Sequence, residues 1–232
     1  MTTITGWLVH IYTASSAIIG LLTIDAICRA RYTEAFWWMG LAVLVDATDG
    51  TLARKFKVAQ TVPQIDGALL DNIADFINYV LTPCFFLIMC PLLSPDFRWF
   101  VVSAVVLSSA YQFTQRDAKT KDNYFKGFPS YWNFVVFYLF VVDFHPLLNA
   151  AILLILSVLV FVPIKYVYPS RMENVFKSRT LRFAFLLGCV LFCAACLRML
   201  LTYPKMDYFA FVYSLLFVAL YGGVSLYRTM KP

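Results

Sequence analysis

The chain has 232 residues, of which 61% are hydrophobic, 18% aromatic and only 14% charged, with a net charge of +6. Soluble domains are nearer half apolar and a quarter charged, so this composition excludes an ordinary water-soluble fold and points to a bilayer as solvent. The basic residues lie between apolar runs rather than in one stripe, which argues against nucleic acid as a partner and for membrane lipids and membrane orientation.

A membrane-spanning helix needs about 20 mostly apolar residues. Apolar runs lie near 6–28, 35–54, 67–92, 97–116, 131–144, 147–167, 181–201 and 207–228. They predict an all-α fold, a polytopic membrane helix bundle of about eight transmembrane helices, forming one domain over residues 1–232. No basic segment precedes the first run, and it is long enough to span, so it reads as a membrane helix rather than a cleaved leader. His10 within it reads as a packed polar residue. The fifth run is short, and His145–Pro146 separates it from the sixth. The six cysteines lie in or beside apolar runs; Cys189, Cys193 and Cys196 share a helix face, but no histidine is near to complete a zinc site. They read as small packing residues.

Eight passes put both termini on one side. That side carries 14 of the 19 Lys and Arg residues, including Arg54, Lys55, Lys57, Arg116, Lys119, Lys121, Lys126 and Lys165. Arg29, Arg31, Arg98, Arg198 and Lys205 lie on the other. The excess places both termini in the cytoplasm, together with the end of the second helix and the start of the third. Asp25, Asp143 and Arg198 then fall near the far face and read as structural.

The second and third helices carry the informative pattern. Asp46, Asp49, Gly50 and Ala53 are spaced i, i+3, i+4, i+7, and Gly67, Asp71 and Asp75 are spaced i, i+4, i+8. Each set is one stripe on a helix, and a short basic connection makes the two helices antiparallel neighbours. A charge at the centre of a spanning helix costs about 2.5–3.5 kcal/mol on insertion scales, and four carboxylates brought together repel one another. Hard divalent cations remove both problems, which makes Asp46, Asp49, Asp71 and Asp75 candidate ligands for two Mg²⁺ or Mn²⁺ ions. Gly50, Ala53 and Gly67 either leave room for a substrate beside the metals or serve close helix packing. Carboxylates in a membrane also mark ion paths, so a divalent-cation transporter is the alternative of a different class. The clustering of these four at two helix ends favours a closed-ended site.

Asp-x2-Asp-Gly-x2-Ala-Arg, a spacer, then Gly-x3-Asp-x3-Asp resembles the signature of the CDP-alcohol phosphotransferase family. All eight fixed positions are matched within residues 46–75, by Asp46, Asp49, Gly50, Ala53, Arg54, Gly67, Asp71 and Asp75. The resemblance implies transfer of a phosphoryl-linked group from a cytidine diphosphate donor to an alcohol. It implies metal ligation by Asp46, Asp49 and Asp71, with Asp75 as ligand and catalytic base. It further implies nucleotide and diphosphate binding by Asp49, Gly50, Ala53, Arg54 and Gly67, and a homodimer. The spacer, Lys55 to Asp66, is twelve residues where eight is common. That length and the stretch Lys126-Gly-Phe-Pro-Ser-Tyr-Trp-Asn133 are similar to the bacterial branch of the family that takes choline as acceptor. Its reaction is CDP-diacylglycerol plus choline giving phosphatidylcholine plus CMP, at the bacterial inner membrane. Serine, inositol or glycerol phosphate as acceptor is the nearer alternative.

Choline offers no hydrogen-bond donor at nitrogen, and aromatic faces are its usual recognition device. Tyr79, Tyr124, Phe128, Tyr131 and Trp132, with Asn78, are the choline-binding candidates, although interfacial enrichment of Tyr and Trp also accounts for such residues. Arg116, Lys119, Lys121 and Lys126 either attract the anionic lipid diphosphate or set topology.

Overall fold

The computed structural model describes residues 3–120, 122, 124–169, 175–176 and 178–230. Lys121, one of the four diphosphate candidates, lies outside the described residues, as do Arg171, Lys177 and Lys231 of the charge asymmetry.

The helices follow one another as α1 (Thr3–Cys28), α2 (Tyr32–Lys55), α3 (Val58–Thr61), α4 (Gly67–Asp75), a π-helical segment (Phe76–Leu81), α5 (Thr82–Met89), α6 (Pro95–Thr114), α7 (Trp132–Val142), α8 (Pro146–Leu159), α9 (Arg179–Thr202) and α10 (Tyr208–Met230). Two short strands, β1 (Tyr124–Lys126) and β2 (Lys165–Val167), pair antiparallel. Every predicted apolar run is helical over most of its length. Thr3–Cys28, the continuous Gly67–Met89, Arg179–Thr202 and Tyr208–Met230 are each long and apolar enough to cross a membrane. α2 and α6 have 24 and 20 residues but carry more polar side chains. α7 and α8 are apolar but have 11 and 14 residues, shorter than a hydrocarbon core of about 30 Å requires of a straight helix.

The third run is helical from Gly67 to Met89 but not uniformly α. Pro83 has no N–H to donate to the carbonyl four residues back. The helix widens to a π turn just before it, and the Thr82 hydroxyl takes the Asn78 carbonyl at 2.9 Å. At its start, the Asp66 carboxylate caps α4 by accepting the Ala68 and Leu69 amides at 3.1 and 3.0 Å. The long spacer is not slack chain. It forms the single turn α3 and buries Val62 against Gly6 of α1, where a Cβ would come within 2.5 Å of the Val62 Cγ2.

The expected helix over 147–167 is corrected at its end: α8 stops at Leu159 and the chain becomes β2. Pro163 accounts for this, since it cannot continue a helix and pushes Val162 toward extended backbone. The fold is therefore all-α in its bundle with one small two-stranded ribbon at the end where the aspartates lie.

α1 explains how the site is held. Gly6, His10, Thr13, Ser16, Gly20 and Thr23 recur every three or four residues and are all buried, forming a small and polar stripe against α2, α3, α4 and the π segment. Small residues let membrane helices approach closely. At Gly20 a Cβ would lie 2.6 Å from Ile77 Cγ2. A central apolar cluster, including Phe36, Phe86, Leu87, Trp132, Phe137 and Phe140, forms the main core of the bundle.

Candidate active site

The two stripes face each other. Carboxylate oxygens of Asp46 and Asp49 on α2 and of Asp71 on α4 lie within 4.8 Å of one another, close enough to share a metal ion. Asp49 is buried and meets the Thr13 hydroxyl of α1; Asp46 and Asp71 are half-buried. Asp75 lies one turn beyond Asp71, outside this trio but within electrostatic reach of Asp46 and Asp71. Three carboxylates at such spacing in an apolar bundle repel unless a cation joins them, and an all-carboxylate donor set suits a hard divalent ion.

Above the trio, the Tyr79 hydroxyl donates to Asp46 Oδ2 at 2.6 Å. The π turn that contains Tyr79 shifts it and Asn78 relative to the α4 stripe. Asn78 turns toward α1 and donates to the Ser16 carbonyl at 2.9 Å, so it braces the helix pair. Arg54 is exposed at the end of α2, donates to the Thr51 hydroxyl at 3.1 Å and acts electrostatically on Asp49. Gly50 and Arg54 are close: a Cβ on Gly50 would lie 3.3 Å from the guanidinium. Gly67 faces α1, where a Cβ would lie 3.2 Å from the His10 ring. Ala53 is half-buried between Gly50 and Arg54 in chain order.

The remaining sequence candidates separate. The Tyr131 ring is 6.4 Å from that of Tyr79, beside the carboxylates. Trp132 is fully buried, and its indole N–H is spent on the Ser109 hydroxyl at 2.7 Å. Phe128 packs on Trp132 with ring centroids 5.2 Å apart. Tyr124 is buried on the opposite face of the ribbon, against Val167, Val175 and Phe185. Strand alternation explains the difference, because neighbours in β1 point to opposite faces. Among the cations, Lys119 acts electrostatically on all four aspartates. Lys126 is held by Asp117 at 2.6 Å, and its ammonium keeps that carboxyl below the usual carboxylate range. Arg116 is exposed on the loop after α6.

Thr13 was not singled out from sequence. Its signal was the period of the α1 stripe, Gly6 to Thr23, inside an otherwise apolar run. Phe125 and Tyr168 also escaped, because their approach depends on a ribbon pairing that no local pattern announces.

A sequence profile of the CDP-alcohol phosphatidyltransferases matches residues 7–163. The chain belongs to the CDP-alcohol phosphatidyltransferase family. The match begins in α1 and ends in the turn after α8, so it takes in both aspartate helices, the polar stripe and the Lys119 loop. α9 and α10 lie beyond it. Several bacterial relatives extend the likeness over more of the chain. A phosphatidylcholine synthase of Legionella bozemanae is 44% identical over 93% of this chain and 100% of its own length. One of Legionella pneumophila is 43% identical over 97% of this chain and 89% of its own. One of Borreliella burgdorferi is 41% identical over 75% of this chain and 74% of its own. This CDP-alcohol phosphatidyltransferase is thus a membrane enzyme whose α2 and α4 carry a carboxylate trio able to hold a divalent metal.

Proposed function

We propose that the chain is a phosphatidylcholine synthase, transferring the phosphatidyl group of CDP-diacylglycerol to choline and releasing CMP. One observation carries the reading: Tyr79 joins the two halves of such a site, with its hydroxyl on Asp46 of the carboxylate trio and its ring beside Tyr131. Carboxylates serve a diphosphate through cations, while aromatic faces serve a quaternary ammonium. The relatives that bear the same name support it.

In this reading Asp46, Asp49 and Asp71 hold Mg²⁺ or Mn²⁺, two ions by charge balance, with Asp75 beside them. When bound, the ions supply positive charge to the diphosphate and to the leaving CMP oxygen. The residues do the rest. Arg54, at the end of α2, offers fixed charge and paired N–H donors to phosphate oxygen. Gly50, Ala53 and Gly67 leave room for the nucleotide. Lys119 supplies a mobile charge for the lipid diphosphate. Asp75 accepts the choline hydroxyl proton as the choline oxygen bonds to the phosphorus next to diacylglycerol and the bond to CMP breaks. A positioned base of this kind contributes about 10²–10⁴-fold. All these groups come from one chain, so a homodimer is not needed to complete the site.

The site lies at the end of the bundle that the charge asymmetry assigns to the cytoplasm, where CMP and choline are soluble. Family membership favours transfer over ion transport. Purified enzyme given CDP-diacylglycerol and labelled choline tests the reading: labelled phosphatidylcholine and CMP should form in equal amounts. CMP release with serine, inositol or glycerol phosphate but not with choline would overturn it.

A further inference from the structure

The aromatic surface beside the carboxylates extends beyond Tyr79 and Tyr131. The Tyr131 ring is 6.4 Å from Tyr79 on one side and 6.4 Å from Phe125 on the other, nearly perpendicular to the latter. Phe125 is in turn 4.6 Å from Tyr168, tilted by 43°. Tyr131, Phe125 and Tyr168 are each half-buried, so none of them is wholly closed off. The ribbon explains how they meet. β1 and β2 pair with Phe125 opposite Tyr166, so the two-residue period puts Phe125, Tyr166 and Tyr168 on one face and Tyr124 and Val167 on the other. A further bridge joins Phe125 to Lys119.

A cation already lies on this surface. The Lys119 ammonium stands 5.7 Å from the centroid of the Tyr168 ring. The same ammonium acts on the four aspartates. The Tyr168 face is therefore both reachable by a positive group and close to the carboxylate site. The walls are fixed at their polar ends, since Tyr79 is bonded to Asp46 and the Tyr131 hydroxyl is paired with that of Tyr221. Tyr221 is anchored to the Val167 carbonyl at 2.9 Å. Rings locked in this way present their faces without an ordering cost when a ligand arrives.

We propose that Phe125 and Tyr168, brought in by the β1–β2 ribbon, complete with Tyr131 and Tyr79 an aromatic box for the trimethylammonium group of the acceptor. Tyr168 is the wall that takes the charge. Lys119 occupies that face in the absence of substrate. Its flexible stem lets it leave for the anionic diphosphate, and the acceptor cation takes its place. Donor binding would then prepare the acceptor site through one side chain. The proposal rests on choline as the acceptor, and its test separates the two.

The test pairs Tyr168→Leu with Tyr168→Phe, and adds Phe125→Leu in case Tyr168→Leu does not fold. Steady-state transfer is measured against choline and against CDP-diacylglycerol. Direct binding of tetramethylammonium to the purified enzyme is measured alongside. A desolvated cation–π contact of about 2 kcal/mol corresponds to roughly 30-fold in binding. Tyr168→Leu should therefore raise the choline KM by about 10–30-fold and weaken tetramethylammonium similarly. Tyr168→Phe should stay within about 3-fold, because the ring face is kept, and the CDP-diacylglycerol KM should not rise in either variant. Unchanged choline KM and tetramethylammonium binding in Tyr168→Leu, or in Phe125→Leu where that variant replaces it, would overturn the box. Tetramethylammonium binding that depends on Tyr168 in an enzyme that does not turn over choline would uphold the box and overturn the choline reading instead.

Discussion

At the scale of single residues, the proposed reaction gives two side chains near the carboxylate trio separable duties. Asp75 stands one turn from Asp71 and outside the trio, which suits a proton acceptor. Tyr79 donates to Asp46 and orients it. Asp75→Asn keeps the shape and removes the proposed base, so turnover should fall by about 10²–10⁴-fold. Tyr79→Phe removes one hydrogen bond to a charged group, worth about 1.5–3 kcal/mol, and should cost roughly 10–100-fold. Both variants should elute from detergent as the parent does, with Asp75→Asn melting no lower than the parent and Tyr79→Phe somewhat lower for its lost hydrogen bond. Retention of most activity by Asp75→Asn would take the base role away from it. The aspartates were legible in the sequence because charge inside an apolar run is costly and their spacing repeats the helix period. The partners of these residues were not. Thr13 meets Asp49 from a helix more than thirty positions earlier, and only burial reveals the contact.

At the scale of elements, helices were readable and the ribbon was not. Runs of about 20 apolar residues predict helices through hydrophobicity alone, and α1, α2, α6, α9 and α10 follow them closely. β1 and β2 are three residues each and sit between helices, where their pairing is set by tertiary contact rather than by local pattern. Gly127 is the hinge of that ribbon. Its φ is +80°, its N–H donates to the Ile164 carbonyl at 2.9 Å, and a Cβ there would stand 2.0 Å from the Val160 carbonyl oxygen. Gly127→Ala should destabilise by about 2–4 kcal/mol through backbone strain and overlap together. It should also displace Phe125 and Lys119, lowering transfer. Gly40→Ala is the control, since nothing lies within 4 Å of a Cβ there. Thermal unfolding in detergent should show a clear loss for Gly127→Ala and none for Gly40→Ala; equal melting of the two would refute the hinge role.

At the scale of the whole molecule, the bundle separates a charged working end from a tied-off far end. Away from the aspartates, Arg29 and Arg31 pair with Asp25, Arg31 also reaches Glu34, and Arg198 pairs with Asp207. Asp207 also caps α10 by accepting the Ala210 amide at 3.0 Å. At the working end, α1, α2 and α4 converge so that three carboxylates share one small space, a strain the rest of the fold is built around. Metal should therefore stabilise the protein as well as activate it, because a ligand that binds only the folded state raises its stability by mass action. Stripping the purified enzyme with a chelator should abolish CMP release and lower its melting temperature. Mg²⁺ or Mn²⁺ should restore both. In Asp46→Asn the trio loses a ligand and a repelling charge together, so its melting temperature should respond less to metal than that of the parent. An unchanged melting temperature on chelation, with activity lost, would mean that the metal is carried in with the nucleotide rather than held by the carboxylates alone.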